Sequence, residues 1–286
     1  MGGAGTPLIR AVLIGVTGRM GRELLRAAAG FADLIVSGAI ASPGSLALGR
    51  DAGELAGLGR LNLTVTCDLA PALAQADVAL DFSSAAAASA NLAAARAARK
   101  PLLLGTSGWG AELEPQLAAV ARDVALLIAP NTSLAIALLS ELVRLAARAL
   151  PPTFDIDILE IHHRLKKDAP SGTALALGSA ARTGRVASSS AHASSLRGAA
   201  GIGSASAPAA GARPQGEIGY ASLRAGDIVG EHTVLFSGPG EQLSLSHRAS
   251  ERAIFARGAL AAALWLQSRP PGRYVMGDVL NLKTIT

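Results

Sequence analysis

A single cysteine, Cys67, stands among 286 residues. One thiol cannot build a disulfide framework or a cysteine-based zinc site, and the scarcity reads as a reducing, cytoplasmic setting. Aromatic residues make up only 3% of the chain, so the stacking platforms that hold single-stranded nucleic acid have no material here. Lysine is also scarce: Lys100, Lys166, Lys167 and Lys283 stand against 22 arginines. The net charge of +5 comes from scattered arginines rather than a basic stripe, which argues against nucleic acid and remains compatible with a small anionic ligand. No run reaches the roughly 18 uninterrupted apolar residues that a membrane helix needs. The most apolar helical stretch, Ser133 to Leu150, carries Glu141, Arg144 and Arg148, so no membrane partner is expected. A secretory pattern is missing too, because Ala11–Val16 leads into Gly18-Arg19-Met20-Gly21-Arg22. Met1-Gly2 with Thr6 matches the loose myristoylation pattern and is read as coincidence in a glycine-rich tail.

What the chain does have is core. Half of its residues are hydrophobic and 16% are charged, which excludes disorder of the whole chain. From Leu8 to Ala149, short β-rich runs alternate with Ala/Leu-rich helical stretches. The pattern predicts strands at Ile9–Gly15, Leu34–Ile40, Thr64–Thr66, Val78–Phe82, Pro101–Leu104 and Val124–Ile128. Helices are predicted at Met20–Ala29, Ala85–Ala98 and between the last two strands, and Ser42–Gly59 reads as a glycine-rich connection. Such alternation implies βαβ units and a parallel sheet covered on both faces. A helix over Ser133–Leu150 ends before Pro151-Pro152. The grammar then changes: a strand at Phe154–Ile161, a helix at Thr173–Ala181, a low-complexity Ala/Ser/Gly tract at Ser188–Gly211 read as a long surface loop, and neighbouring strands at Glu217–Leu223, His232–Phe236 and Gln242–His247. A last helix, Ser250–Gln267, is expected to return to the first domain. The fold class is therefore α/β, a parallel-sheet domain over residues 1–132 plus an α+β domain over 133–248, with 249–286 returning to the first.

Three strand ends carry chemistry. Gly15-Val16-Thr17-Gly18-Arg19-Met20-Gly21 lies where the first strand meets the first helix. Glycines there let backbone approach a pyrophosphate, and the helix start offers N–H groups. The spacing is G-x-x-G-x-x-G rather than G-x-G-x-x-G, so the general fingerprint is only partly met. The second strand should end in an acid for a ribose hydroxyl, and Ile40-Ala41-Ser42-Pro43 has none. That tilts the choice from NADH to NADPH, with Arg19 near a 2′-phosphate. Gly105-Thr106-Ser107-Gly108 and Ala129-Pro130-Asn131-Thr132-Ser133 close two further strands. Each is an ordinary turn by itself, and together with the first loop they would line one groove.

The densest constellation is Glu160-Ile161-His162-His163-Arg164-Leu165-Lys166-Lys167-Asp168-Ala169-Pro170-Ser171-Gly172-Thr173. Adjacent histidines on a strand point to opposite faces, so only one can reach a site through the strand itself. A histidine near a lysine offers a proton donor beside a fixed positive charge. Ser171, after Pro170, is a plausible helix cap, and a helix start attracts a carboxylate. Metal binding is disfavoured, because His162, His163 and Asp168 lack a fourth ligand and the lysines repel a cation.

The run from His162 to Thr173 resembles the signature of bacterial 4-hydroxy-tetrahydrodipicolinate reductases (dihydrodipicolinate reductases), enzymes of lysine and diaminopimelate synthesis. Gly15–Gly21, Asp51-Ala52-Gly53-Glu54, Asp81-Phe82-Ser83, Gly105–Gly108, Asn131, Arg224–Thr233 and His247-Arg248-Ala249 follow in the family's order. The resemblance covers nearly the whole chain, apart from the N-terminal tail and Ser188–Gly211. It implies that His162 is the acid/base residue and Lys166 the second proton donor. His163, Ser171, Gly172 and Thr173 would hold a small dicarboxylate. The reduced cofactor, NADPH or NADH, would meet Gly15, Val16, Thr17, Gly18, Arg19 and Met20, then Gly105, Thr106 and Ser107, then Ala129, Pro130, Asn131 and Thr132. The resemblance also implies a Rossmann-type dinucleotide-binding domain completed by the C-terminal helix, and an α+β substrate domain that builds a homotetramer. Ala41 and Ser42 depart from an acidic and a basic residue common in the family, and Thr132 stands where a phenylalanine is usual. Two rival readings stand beside the family's: another NAD(P)-dependent reductase of a small carbonyl or amino acid, which fits the first domain equally well, and a nucleotide-binding sensor without activity, which the basic charge and the Ser/Ala-rich tract fit weakly. The first leaves Lys166 with Ser171-Gly172-Thr173 unexplained, and the intact His162/Lys166 pair argues against the second.

Overall fold

The computed structural model describes residues 8–189 and 216–282. The expected loop at Ser188–Gly211 lies outside the described residues from position 190 onward, as do Met1, Gly2 and Thr6. Along the chain run β1 (Ile9–Ile14), α1 (Arg19–Ala28), β2 (Leu34–Ile40), α2 (Ala52–Ala56), β3 (Val65–Thr66), α3 (Leu69–Ala74) and β4 (Val78–Asp81). There follow α4 (Ala85–Ala97), β5 (Leu102–Leu104), a short 3-10 turn, α5 (Glu114–Ala121), β6 (Ala125–Ile128) and α6 (Leu134–Ala149). Next come β7 (Asp155–His162), α7 (Gly172–Ser189), β8 (Ile218–Arg224), β9 (Gly230–Gly238) and β10 (Glu241–Ala249). The series closes with α8 (Ala253–Leu266), β11 (Gly272–Tyr274) and α9 (Met276–Val279).

The chain divides into two compact units, one holding residues up to Leu134 together with those from Arg252 onward, the other Ala135–Glu251. In the first unit the described strands form a parallel sheet in the order β11-β6-β5-β4-β1-β2-β3. β4 and β5 are continuous apolar runs, buried at every position from Val78 to Leu80 and Leu102 to Leu104. That is what a strand covered by helices on both faces requires. One core packs Leu73, Leu92, Leu117 and Val120 against Val12, Leu102, Leu104 and Leu126. α8 belongs to this unit, burying Ala256, Ala259, Leu260, Ala263 and Leu266.

The second unit holds a four-stranded sheet in the order β10-β9-β7-β8. β7 alternates strictly: Ile156, Ile158, Glu160 and His162 are buried, while Asp155, Asp157, Leu159 and Ile161 are more open. The buried face carries Ile156, Ile158, Val234 and Phe236 against Ile136, Leu139 and Val143 of α6 and Ala174, Leu177 and Ala181 of α7.

Four expectations need correction. The Ser42–Gly59 connection contains α2, because the Asp51 side chain accepts from the backbone N–H groups of Gly53, Glu54, Leu61 and Leu63 and so builds both a helix cap and a clasp. The helix expected to stop at Ala181 continues to Ser189, with Gly184 set closely against the Arg144 carbonyl and Ala147 of α6. The strands Glu217–Leu223 and His232–Phe236 are not neighbours: β7 lies between them, parallel to β8 and antiparallel to β9. β11 and α9 have no sequence counterpart in the reading above, and β11 completes the parallel sheet beside β6.

Candidate active site

In the first unit β1 ends at Ile14, and Gly15 turns the chain with φ +87°. The Gly15 and Val16 amides both donate to the Ile40 carbonyl, at 2.8 and 3.0 Å, and the Gly18 amide closes the turn on the Gly15 carbonyl at 3.0 Å. A side chain at Gly15 would meet the Phe82 carbonyl oxygen at 2.6 Å, and one at Gly21 would meet the Gly15 carbonyl at 2.4 Å. The two strands and the helix therefore touch backbone to backbone, which only glycine permits.

Over this loop opens a cavity of about 800 Å³. Thr17, Gly18, Arg19 and Met20 line it together with Gly105, Thr106 and Ser107. So do residues the sequence had not marked for the cofactor: Phe82–Ala85 at the end of β4, Arg22, Glu23 and Arg26 on α1, and Arg252 and Phe255 at the start of α8. Four guanidinium groups face one carboxylate, and that carboxylate, Glu23, is paired with Arg26 at 2.5 Å. Low-dielectric walls of one sign concentrate anions. Size, charge and the helix start fit a dinucleotide.

Gly15, Val16 and Ala129–Thr132 do not line this cavity. Val16 is buried, and Thr132 turns inward, its hydroxyl donating to the Phe255 carbonyl at 2.6 Å. Asn131 caps the turn before α6, accepting from the Ser133 amide at 2.9 Å. At the end of β2, Ala41 is buried and Ser42 exposed, so no carboxylate stands there. Beneath the cavity floor Asp81, fully buried, accepts from the Ser83 amide and hydroxyl, the Asn91 amide and the Thr106 hydroxyl at 2.6–3.2 Å. This knot ties the β4 end to the Gly105–Ser107 loop.

In the second unit the His162–Thr173 constellation folds around one buried carboxylate. Glu160 and His162, two residues apart on β7, share the inner face. Glu160 is 1% exposed. One of its oxygens bonds His162 Nδ1, and the other accepts from Arg224 Nη2 at 2.8 Å and from the Ser171 amide at 3.3 Å. Arg224, opposite His162 on β8, also donates to the Asp168 carbonyl at 2.6 Å, which anchors the loop after β7. On β9 His232 sits opposite Glu160, its ring edge-on to His162 with centroids 5.1 Å apart. Ser171 caps α7: its hydroxyl oxygen accepts from the Ala174 amide at 3.2 Å and lies 3.2 Å from His232 Nε2. Gly172 and Thr173 form the first turn of α7.

Lys166 Nζ bonds both Asp168 carboxylate oxygens at 2.8 Å. His163 follows the strand end, half-buried, and its carbonyl accepts from the Lys166 amide at 3.1 Å. Of the two adjacent histidines only His162 enters the cluster.

Electrostatics follow from the packing. Burial would raise the Glu160 pKa, but the Arg224 hydrogen bond and His162 more than offset it, so the carboxyl sits below its ordinary range. Burial lowers the His162 pKa, the bond to Glu160 opposes this, and the Lys166 and Arg224 charges add to the fall. His232 is pushed down to about 4 by burial and by the facing His162. The Asp168 carboxyl is held low by Lys166.

Glu160, His162 and His232 bring ligand atoms within 4.8 Å of one another, a different trio from the one weighed in the sequence. Arg224 already occupies Glu160, and a guanidinium on the only anion makes this a hydrogen-bond network rather than a seat for a cation. Glu160 was missed in the sequence, although the strand's two-residue period sets it on the same face as His162. Arg224 and His232 carried no such signal, because they reach the cluster only through the register of β7 with β8 and β9.

Comparison with known proteins covers nearly the whole chain. Residues 9–132 match the family model "Dihydrodipicolinate reductase, N-terminus" and residues 135–280 match "Dihydrodipicolinate reductase, C-terminus". The chain is 46% identical over 274 residues to the 4-hydroxy-tetrahydrodipicolinate reductase of Beijerinckia indica, covering 96% of this chain and 98% of that one. It is 47% identical over 274 residues to the enzyme of the same name from Methylocella silvestris, covering 96% and 97%. Among solved structures, a dipicolinate-bound dihydrodipicolinate reductase from Paenisporosarcina sp. TG-14 shares the fold, with a TM-score of 0.72 at 22% identity over 94% of this chain and 97% of that one. On these matches the chain belongs to the dihydrodipicolinate reductase family.

Proposed function

We propose that the protein is an NAD(P)H-dependent reductase of 4-hydroxy-tetrahydrodipicolinate, producing tetrahydrodipicolinate with loss of water for lysine and diaminopimelate synthesis. The observation that carries this reading is the cluster of His162, Lys166 and the Ser171-capped start of α7 around buried Glu160. A planar dicarboxylate needs fixed positive charge and a proton source at one place, and this cluster offers both. The ligand named for the Paenisporosarcina enzyme is itself a planar dicarboxylate.

The Gly15–Met20 loop and Gly105–Ser107 would hold the dinucleotide, with Ala129–Thr132 bracing the adjoining strand end. When bound, it supplies the hydride. The chain's own residues do the rest. Lys166 and the α7 start bind one carboxylate, Lys166 exchanging Asp168 for the ligand, with His163 beside them. A helix start contributes about 0.3–2 kcal/mol toward an anion. His162 delivers the proton that accompanies the hydride, a role worth about 10²–10⁴-fold in rate. Arg19 and the missing acid at the β2 end support NADPH as the better donor.

The outward face of the second sheet supports self-association, with a homotetramer as the reading. Leu159 and Leu223 lie 39% and 59% exposed there, beside Ile161, Ala221 and Leu235. A sheet face of this kind normally finds a cover. Among the described residues no helix is long and apolar enough to cross a membrane, and with one cysteine the expected setting is the cytoplasm.

The test is steady-state oxidation of NADPH and of NADH with substrate generated by the coupled synthase, and with pyridine-2,6-dicarboxylate as competitor. Turnover with competitive inhibition is expected. Its absence, or near-parental turnover in the His162→Ala/Lys166→Ala double variant, overturns the assignment.

A further inference from the structure

We infer that Glu160 is a positioning residue for His162: it holds the Nδ1 side of the ring, so that Nε2 is the atom that exchanges a proton with the ligand. The inference deepens the reading above and rests on it for the identity of the reaction.

Both oxygens of Glu160 are committed. One takes the His162 Nδ1–H, and the other is pinned by Arg224 Nη2 at 2.8 Å and the Ser171 amide at 3.3 Å. An ionised carboxylate only accepts, so the neutral imidazole must carry its hydrogen on Nδ1, with the Nε2 lone pair outward. The far side of the ring has been cleared. A side chain at Gly230 of β9 would lie 3.0 Å from Nε2 and 3.3 Å from Cδ2 of His162. Glycine at that one strand position keeps a side chain off Nε2, while the next inward position on β9 carries His232.

The groups facing His162 come from every element around it. Glu160 lies on its own strand, Arg224 on β8, His232 on β9 with His247 of β10 opposite it, Lys166 and Asp168 on the following loop, and Ser171 at the start of α7. Burial and the Lys166 and Arg224 cations all disfavour imidazolium. Glu160 is the countercharge that keeps a protonated ring attainable, and Arg224 keeps Glu160 ionised. A proton donor in this position needs that carboxylate as much as it needs the ring.

The sign is fixed. Activity that depends on protonated His162 falls as pH rises through the His162 pKa. Glu160→Gln removes the stabilising charge, lowers that pKa and moves the falling limb of kcat/KM to lower pH. At pH 7.5 kcat/KM is expected to drop by roughly 10²-fold, with KM for the reduced cofactor unchanged. Glu160→Asp, which keeps the charge, should place the limb between the two. Imidazole ¹⁵N spectra, with His162 assigned by its loss in His162→Ala, report the tautomer without any substrate. They are expected to show hydrogen on Nδ1 in the parent protein and a mixed tautomer in Glu160→Gln.

Hydrogen on Nε2 of the neutral ring in the parent, or a limb that stays in place in a folded Glu160→Gln enzyme, overturns the inference. An Nδ1–H ring in a protein that does not reduce the substrate would instead remove the functional reading and leave the positioning intact. If Glu160→Gln does not fold, Gly230→Ala decides. Its methyl presses on Nε2, so kcat is expected to fall at least tenfold with the Nδ1–H tautomer retained, and full kcat in that variant refutes Nε2 as the working atom.

Discussion

Replacing a helix-interior glycine with alanine normally stabilises a protein, by about 1 kcal/mol of helix propensity. Gly258, in the middle of α8, is expected to behave in the opposite way. Its added Cβ would lie 1.8 Å from the Thr132 carbonyl oxygen, 3.0 Å from the Thr132 carbonyl carbon and 3.6 Å from the Leu134 amide nitrogen. A relaxed carbon-to-oxygen contact is about 3.3 Å, so helix and loop must part by roughly 1.5 Å. The atom in the way is backbone and cannot rotate aside. Thr132 is also tied to the same helix through the Phe255 carbonyl at 2.6 Å, and α8 is packed against the sheet by Ala256, Ala259, Leu260 and Ala263, all fully buried. Overpacking of this kind costs about 1–3 kcal/mol, more than the propensity gain over most of that range. Set against that gain, Gly258→Ala should show a net loss of up to about 2 kcal/mol, or up to roughly 8 °C in Tm for a unit of this size. Gly178→Ala in α7 is the internal control. Its Cβ also meets an oxygen at 1.8 Å, but that oxygen is the Tyr220 hydroxyl at the end of a side chain, so the loss should be smaller. Thermal unfolding followed by circular dichroism measures both. A Gly258→Ala protein as stable as the parent would refute the idea that α8 rides directly on the Thr132 backbone.

Stability should fall with acid below neutrality. His232, whose folded pKa of about 4 lies under its ordinary value of 6.5, contributes fully above 6.5 and loses that contribution as pH falls toward 4. His162 and His247 shift in the same direction. The His232 share is about 3 kcal/mol, so urea melts at pH 7.5 and 5 should differ, and His232→Asn should flatten the difference. Ser171→Ala removes the α7 cap and should cost about 0.5–2 kcal/mol, read by the same melts. Asp81→Asn weakens a buried acceptor shared by Ser83, Asn91 and Thr106. A loss of about 1–3 kcal/mol is expected together with a higher KM for the reduced cofactor, and an unchanged KM would separate the knot from the cavity. His162→Ala should lower kcat more than it weakens substrate binding, whereas Lys166→Ala should damage both.

The elements that were legible share one property, a hydrophobic pattern long enough to state its own period. β1, β2 and β4 are largely apolar runs, and their bounds fall within a residue of the pattern. α2 was hidden because its five residues carry no amphipathic stripe; the Asp51 side chain creates it. α3 has Pro71 in its first turn, which proline tolerates but pattern reading does not reward. β11 is three residues long and is a strand only because β6 offers an edge. In the site, the chemistry of His162, Lys166 and Ser171 stood in one stretch of chain. The residues that govern His162 came from strands about 60 and 70 positions away, and no local period records such pairings. The Arg22, Arg26 and Arg252 side of the cavity was invisible for the same reason, since it needs the helices in place.

The last strand of the parallel sheet, Gly272–Tyr274, comes from the end of the described chain and pairs with Ala125–Ile128, laid down nearly 150 residues earlier. On a ribosome, the first unit must therefore wait with an apolar strand edge unpaired and without α8, while every residue of the second unit is translated. The second unit lies wholly inside that gap, so it can complete its own sheet first although it is encoded later. Completion of the first unit then follows translation of the second, and the open β6 edge, a site prone to aggregation, is covered only once residues 272–274 are available.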